Sequence, residues 1–277
     1  SFNQSIDGWN TSQVTSMKIM FFRAYSFDKP IGAWDTSLVK TLGGMFREAS
    51  SFNQYIAEWN TSRVTSMTAM FFRASSFDQP TGEWDVSLVK TMGSMFQKAS
   101  SFNQSIAEWN TSQVRTMDFL FKKATSFNQS IDVWNTSQVK KMNRMFYGAS
   151  SFNQCLSTWA GKTPSNVDTT EMLSRSFCPE KNDPEPTLGP WCKNFKQGCF
   201  APGKEPSSAP SASVVPNAGQ SSVPSFKSSQ SPSDVPSSLS SAVPSSTPTT
   251  KSQKWQKKKK SKKKSKNLNK KAKNSRN

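Results

Sequence analysis

No histidine occurs anywhere in the 277 residues. That removes the commonest general base and the commonest metal ligand, and leaves any catalysis to carboxylates, lysines or cysteines. Cysteine is missing from the long first part of the chain and then appears four times, at Cys155, Cys178, Cys192 and Cys199. No apolar run approaches the roughly 20 residues that a membrane-spanning helix needs. The chain opens on Ser1-Phe2, with neither an initiator Met nor a charged-then-apolar leader, so a signal peptide is expected to be missing from this stretch and not absent by design. Acidic residues are missing from the tail: Lys251 to Asn277 hold thirteen Lys and Arg276 without one Asp or Glu, which is 14 of the net +18. The first 200 residues, with 20 basic and 16 acidic side chains, are nearly neutral.

What is present is a repeat. Trp recurs at 9, 34, 59, 84, 109, 134 and 159, and Phe at 2, 27, 52, 77, 102, 127 and 152, a period of 25 without a slip. The same register carries Val14, Met17, Met20, Phe21 and Ala24 into later units as Val64, Met67, Met70, Phe71 and Ala74. Residues 1 to 25 match 51 to 75 at 18 places and 26 to 50 match 76 to 100 at 17, whereas the first two neighbours share ten, so duplication of a 50-residue pair is inferred. Within a unit, Val14, Met17, Met20, Phe21 and Ala24 fall three or four apart, which predicts one face of a short helix. Alternation of Phe2, Gln4 and Ile6 predicts a short strand. Asn10-Thr11-Ser12 and Asp35-Thr36-Ser37 supply the polar residues of a turn or helix start. The expected fold class is an α/β repeat solenoid, a stack of one short strand and one short helix per 25 residues. A lone unit cannot bury its apolar side, so copies must share one core, and seven strands at ~4.8 Å would build a rod roughly 30 Å long.

The pattern Phe2-Asn3-Gln4…Ile6…Trp9-Asn10-Thr11-Ser12…Val14-Thr15-Ser16-Met17…Met20-Phe21…Ala24 is similar to the repeat of BspA-type leucine-rich-repeat surface proteins of bacteria and unicellular eukaryotes, over residues 1 to about 159. That resemblance implies a leucine-rich-repeat-like stack, extracellular display and an adhesive or binding role, without naming a ligand. Cys178-Pro179…Gly189-Pro190-Trp191-Cys192…Cys199 further resembles the cysteine-containing terminus of eukaryotic, especially algal, members, although Cys155 sits near and not on the place expected for the first of the four.

The in-register aromatics could be a stacking platform for sugars or bases, but their shared period and apolar company favour a core. Asn3, Asn53, Asn103, Asn128 and Asn153, with Asp28 and Asp78 between them, predict a polar ladder along the stack. Seven Asn-x-Ser/Thr matches (Asn3, Asn10, Asn60, Asn103, Asn110, Asn128, Asn135) follow from the repeat itself, which inflates them as evidence for N-glycosylation. Asp7, Glu58, Glu83, Glu108 and Asp132 precede the Trp while Arg23, Arg47, Arg73, Lys98, Lys122 and Lys123 follow the Met-Phe pair, which predicts an acidic row and a basic row. Surface solubility is the bland explanation and is favoured over a binding stripe. Partner contacts are sought first at Lys18, Arg23, Arg47, Arg73, Lys98, Phe119, Lys122 and Arg144.

The domain reading is a repeat array over 1–159, a cysteine-containing cap over 160–200, a Ser/Pro-rich stalk over 201–250 and a Lys-rich tail over 251–277. Cys155, Cys178, Cys192 and Cys199 are disulfide candidates with three possible pairings, since the spacing and the want of histidine fit zinc poorly. The stalk, with 17 Ser and 9 Pro, is either an O-glycosylated spacer or a bare one. In the tail, Lys257, Lys258, Lys259, Lys260, Lys262, Lys263, Lys264 and Lys266 are expected to seek an anionic partner: acidic wall polysaccharide, mineral, lipid surface or nucleic acid. No catalytic residue, metal ligand or cofactor is assigned. The expected function is non-enzymatic binding or adhesion outside the cell or at its surface, through a protein or glycan ligand on the repeats. The alternative is an intracellular, nuclear protein that uses its tail on nucleic acid.

Overall fold

A computed structural model describes residues 2–192; the proposed stalk and tail, and Cys199, lie outside the described residues. Each 25-residue unit forms one coil, and six coils stack in sequence order over residues 2–150 before a closing segment. The expectation of a strand and a helix in each unit is overturned. Among the described residues there is no helix and no extended strand. Neighbouring coils are joined instead by single-residue parallel bridges through Ser16, Thr41, Ser66, Thr91, Thr116, Lys141 and Asp168.

The segment expected to be helical is a run of overlapping turns. In the third coil Met67, Ala69, Phe71 and Arg73 donate their N–H groups to Thr91, Gly93, Met95 and Gln97 of the next coil, at 2.9, 2.9, 2.9 and 2.8 Å. The intervening Met70, Phe72 and Ala74 donate back three residues, to Met67, Ala69 and Phe71. A helix would aim every N–H along its own axis. Here left-handed residues four apart, Ala69 (φ 55) and Arg73 (φ 57), turn alternate peptides out toward the neighbouring coil. The same two places are left-handed in every coil, down to Ile19 and Arg23 in the first. Three-residue turns bring side chains inward every three or four residues, which is why the sequence pattern imitates a helix face. The expected Phe2-Gln4-Ile6 strand makes no bridge; the bridge falls ten residues after Ile6, at Ser16.

Inward residues line up coil upon coil. Phe71, Phe96 and Phe121 stack with ring centroids 5.6 and 5.7 Å apart, and Phe96 lies 3.8 Å from Phe102 in the adjoining Phe row. All are fully buried. The aromatic rows are therefore core and not a platform. Trp is specific at its place because its ring is apolar while its N–H needs an acceptor: Trp34, Trp59, Trp84 and Trp134 each donate Nε1 to the preceding coil, to the carbonyls of Ile6, Ile31, Ile56 and Ile106. The expected polar ladder is present. Oδ1 of Asn3, Asp28, Asn53, Asp78, Asn103 and Asn128 accepts the N–H of Asp28, Asn53, Asp78, Asn103, Asn128 and Asn153 in turn. Asn and Asp interchange freely because only the Oδ1 acceptor is used. Gln54, Gln79, Gln104, Gln129 and Gln154 add a second bond from below.

One place breaks the pattern. Thr81 stands where other coils carry Ile31, Ile56, Ile106 and Ile131, and its Oγ1 is fully buried without a hydrogen-bond partner. A buried hydroxyl left unmade is costly, and the Thr81 carbonyl that receives Trp109 Nε1 survives substitution. Thr81→Ile is expected to raise unfolding stability by about 1–2 kcal/mol, read as a higher denaturant midpoint at unchanged slope; a lower midpoint would show that the pocket cannot take the extra methylene.

The two ends differ. Phe2 and Trp9 of the first coil are 44% and 56% exposed, while their counterparts deeper in the stack are buried. At the other end the closing segment supplies carbonyls for the last coil: Met142, Arg144, Phe146 and Gly148 donate to Asp168, Thr170, Met172 and Ser174. Trp191 then folds back, paired antiparallel with Leu156, and sets its ring edge-on to Trp159 at 6.2 Å.

Candidate functional site

Stacking converts each register position into a row, and the charged rows are segregated. Residues 15–24 and their equivalents in the six coils hold thirteen Lys and Arg and two acids, Glu48 and Asp118. The rest of those coils, through residue 149, holds two basic residues, Lys29 and Arg63, and nine acids. The acidic side is partly spent on the fold. Asp28 and Asp78 belong to the ladder, Asp132 receives Ser157 and Thr158, and Asp35 accepts the Ser37 N–H, which holds its carboxyl below the usual carboxylate range.

The basic side is not spent in that way. Lys18, Arg23, Arg47, Arg73 and Arg144 are exposed and Lys98, Phe119 and Lys122 are half-buried, all on the outward arc of turns. The structure thus brings every expected partner-contact residue onto one arc, in two differing clusters. Toward the first coil, Glu48 lies among three guanidinium groups, with Oε2 3.2 Å from Arg23 Nε and Oε1 3.7 Å from Arg73 Nη1 and 3.9 Å from Arg47 Nε. Arg23 and Arg47 lie over the Phe22 ring at 4.9 and 5.5 Å, and Arg47 and Arg73 over the Phe72 ring at 4.9 and 5.4 Å. In this cluster Glu48 offsets one of the three guanidinium charges.

Toward the cap the arrangement changes. Lys122 Nζ sits 5.1 Å from the Phe119 ring and 5.2 Å from that of Tyr147, which also carries Arg175 at 5.3 Å. Partial burial, then the repulsion of Arg144 and Lys123, hold the Lys122 amine below its ordinary value; Glu171 opposes and Lys98 adds to the lowering. Arg144 pairs with Glu171. Among the described residues no carboxylate forms an ion pair with Lys98, Lys122 or Lys123. Sequence reading alone missed Glu48, Phe72, Tyr147 and Arg175 as members of the arc. For Glu48, Phe72 and Tyr147 the available signal was their common register with Arg23 and Phe22; Arg175 lies past the break in the period and shares neither place.

Cys178 and Cys192 are joined by a disulfide, both fully buried. Cys155 is disulfide-bonded too, and Cys199, the one remaining cysteine of the sequence, falls outside the described residues, as do Lys257, Lys258, Lys259, Lys260, Lys262, Lys263, Lys264 and Lys266. Among the described residues no three carboxylates or thiols gather as metal ligands. Of the Asn-x-Ser/Thr matches, Asn10, Asn60, Asn110 and Asn135 are exposed and cap their own turns, whereas Asn103 and Asn128 are half-buried in the ladder.

A family model described as Mycoplasma protein of unknown function, DUF285, matches residues 1–87 and again 77–182. The chain belongs to this family, and so to the BspA-type repeat proteins. No curated protein and no solved structure matches it.

Proposed function

We propose that this member of the family is a non-enzymatic binding or adhesion module displayed outside the cytosol. The observation that carries the reading is the buried Cys178–Cys192 disulfide in the cap, a bond that belongs to oxidising compartments. The stack agrees with it. Recurrent polar groups are spent on holding coil to coil, which leaves the outward arc to vary and to meet partners. Glu58 and Glu83, the carboxylates a hydrolase would need, recur from unit to unit instead of converging. The Lys-rich tail over 251–277 anchors the module to an anionic wall, mineral or membrane surface by charge. The algal affinity of the terminus rests on Cys178-Pro179 and Cys192 with Cys199. An intracellular role on nucleic acid is the rival reading, and the test separates the two.

Protein alkylated in its native source without prior reduction is expected to gain no mass, and a membrane-impermeant amine reagent applied to intact cells is expected to label it. Four alkylated thiols without labelling would overturn the displayed reading and leave nucleic acid as the leading partner of the tail.

A further inference from the structure

Resting on that binding role, we infer that Lys98, Lys122, Lys123 and Arg144, with Phe119 and Tyr147, form a site for the sulfate or carboxylate groups of an extended acidic polysaccharide. The cationic arc is not uniform, and the difference locates the site. Around Glu48 the guanidinium groups already have an internal counter-charge at 3.2–3.9 Å. Near the cap, Lys98, Lys122 and Lys123 crowd together without a paired carboxylate among the described residues, while Arg144 has Glu171. Crowded like charges are relieved by an external anion, and partial desolvation of Lys122 strengthens what that anion gains.

Geometry favours a linear ligand. Arg73, Lys98 and Lys123 occupy one register place in three successive coils, between Glu48 and Gly148 at the same place, and coils joined by parallel bridges stand ~4.8 Å apart. A chain laid along these three coils therefore meets a cation at each step, close to the length of one pyranose. Lys90, Arg115 and Lys140 form a second exposed row, at a register place earlier in each coil. A polymer with regularly spaced anionic groups matches this spacing; a compact anion uses one step of it.

Two observations favour polysaccharide over nucleic acid. Single strands bind by stacking bases on free aromatic faces, but Lys122 lies over Phe119, and Lys122 and Arg175 over Tyr147. Those rings are already engaged by cations, and a base would compete with Lys122 and Arg175 for their faces. The disulfide-closed cap next to the site also belongs where acidic glycans, and not nucleic acids, are the abundant polyanions.

The test uses the full chain in three forms: wild type, K98Q/K122Q/K123Q, and a tail variant in which Lys257–Lys260 and Lys262–Lys264 become Gln. All three changed side chains of the site point outward, and an unchanged thermal transition with unchanged near-ultraviolet dichroism verifies the stack. Heparin, polygalacturonate, a DNA duplex and a DNA single strand are titrated over a range of salt. The site variant is expected to bind heparin or polygalacturonate about tenfold or more weakly, with the slope of log affinity on log salt reduced by roughly one for each cation removed. Loss confined to heparin identifies sulfate as the recognised group, and loss confined to polygalacturonate identifies carboxylate. An equal or greater loss toward either DNA overturns the polysaccharide assignment. Wild-type glycan affinity in the site variant, with binding abolished in the tail variant, overturns the site while leaving display and tail anchoring untouched.

Discussion

Phe96→Ala is expected to cost about 3–5 kcal/mol of unfolding stability, the largest effect of any single substitution in the stack. Phe96 is fully buried in the fourth of six coils. Its ring lies 3.8 Å from Phe102, 5.6 and 5.7 Å from Phe71 and Phe121, and 6.3 Å from Trp109. Truncation removes contacts to both neighbouring coils at once. The cavity cannot close by a shift of side chains alone, because the coils on either side are fixed by backbone bonds, Ser94 to Asp118, Phe96 to Leu120 and Phe71 to Met95 among them. Equilibrium denaturation gives the number. A loss below about 1 kcal/mol would mean that the coils draw together over the gap, contrary to the rigid spacing that the ladders impose.

Removing the cap disulfide is the second large effect. Cys178 and Cys192 close a loop with a sequence separation of 14, for which the chain-entropy account gives about 3 kcal/mol. In the double variant Cys178→Ala/Cys192→Ala the loss should be local before it is global, since stacked repeats exchange energy only with their neighbours. The bridged segment ends at Trp191, which covers Trp159 and pairs with Leu156. Amide exchange should therefore quicken first at Leu156 and Trp191 and at the last-coil donors Met142, Arg144, Phe146 and Gly148, while the donors of the third coil keep their protection. Uniform loss of protection along the stack would show that it melts as a single unit.

The period, the inward residues and the polar ladder could all be read from the sequence because each is a property of register. Once Phe, Trp and Val recur every 25 residues, burial of one predicts burial of all. Asn3 and Asp28 share a place only if an acceptor is needed there. Backbone conformation could not be read in the same way. The three- and four-residue spacing of Val64, Met67, Met70, Phe71 and Ala74 is common to a helix and to overlapping turns. What separates them is the left-handed pair, and those places are filled by Ile19, Ala69, Ser94, Phe119 and Arg144 in one row and by Arg23, Glu48, Arg73, Lys98 and Lys123 in the other. Glycine takes them only at Gly44 and Gly148. A β-branched residue such as Ile19 ordinarily argues against that conformation, so residue type concealed the turns that the coil-to-coil bonds enforce. The basic arc was legible as a row of charges. Its division into a cluster with Glu48 among its guanidinium groups and one in which Lys98, Lys122 and Lys123 have no ion-paired carboxylate among the described residues was not, because it depends on which side chains meet across neighbouring coils.

The bridges, ring stacks and ladder bonds between coils have a further consequence for inheritance. Each kind recurs from unit to unit with the same spacing along the chain, so the molecule keeps no record of how many units it has. Loss of residues 51–100 as a block would bring Ser50 to Ser101 and give each new neighbour the kind of partner it had before, while loss of any stretch out of phase would set Phe against Asn along the entire seam. A gene that gains or sheds whole pairs can therefore lengthen or shorten this protein without inventing an interface. Length becomes the variable most open to selection, and the identity of the core the one least free to drift.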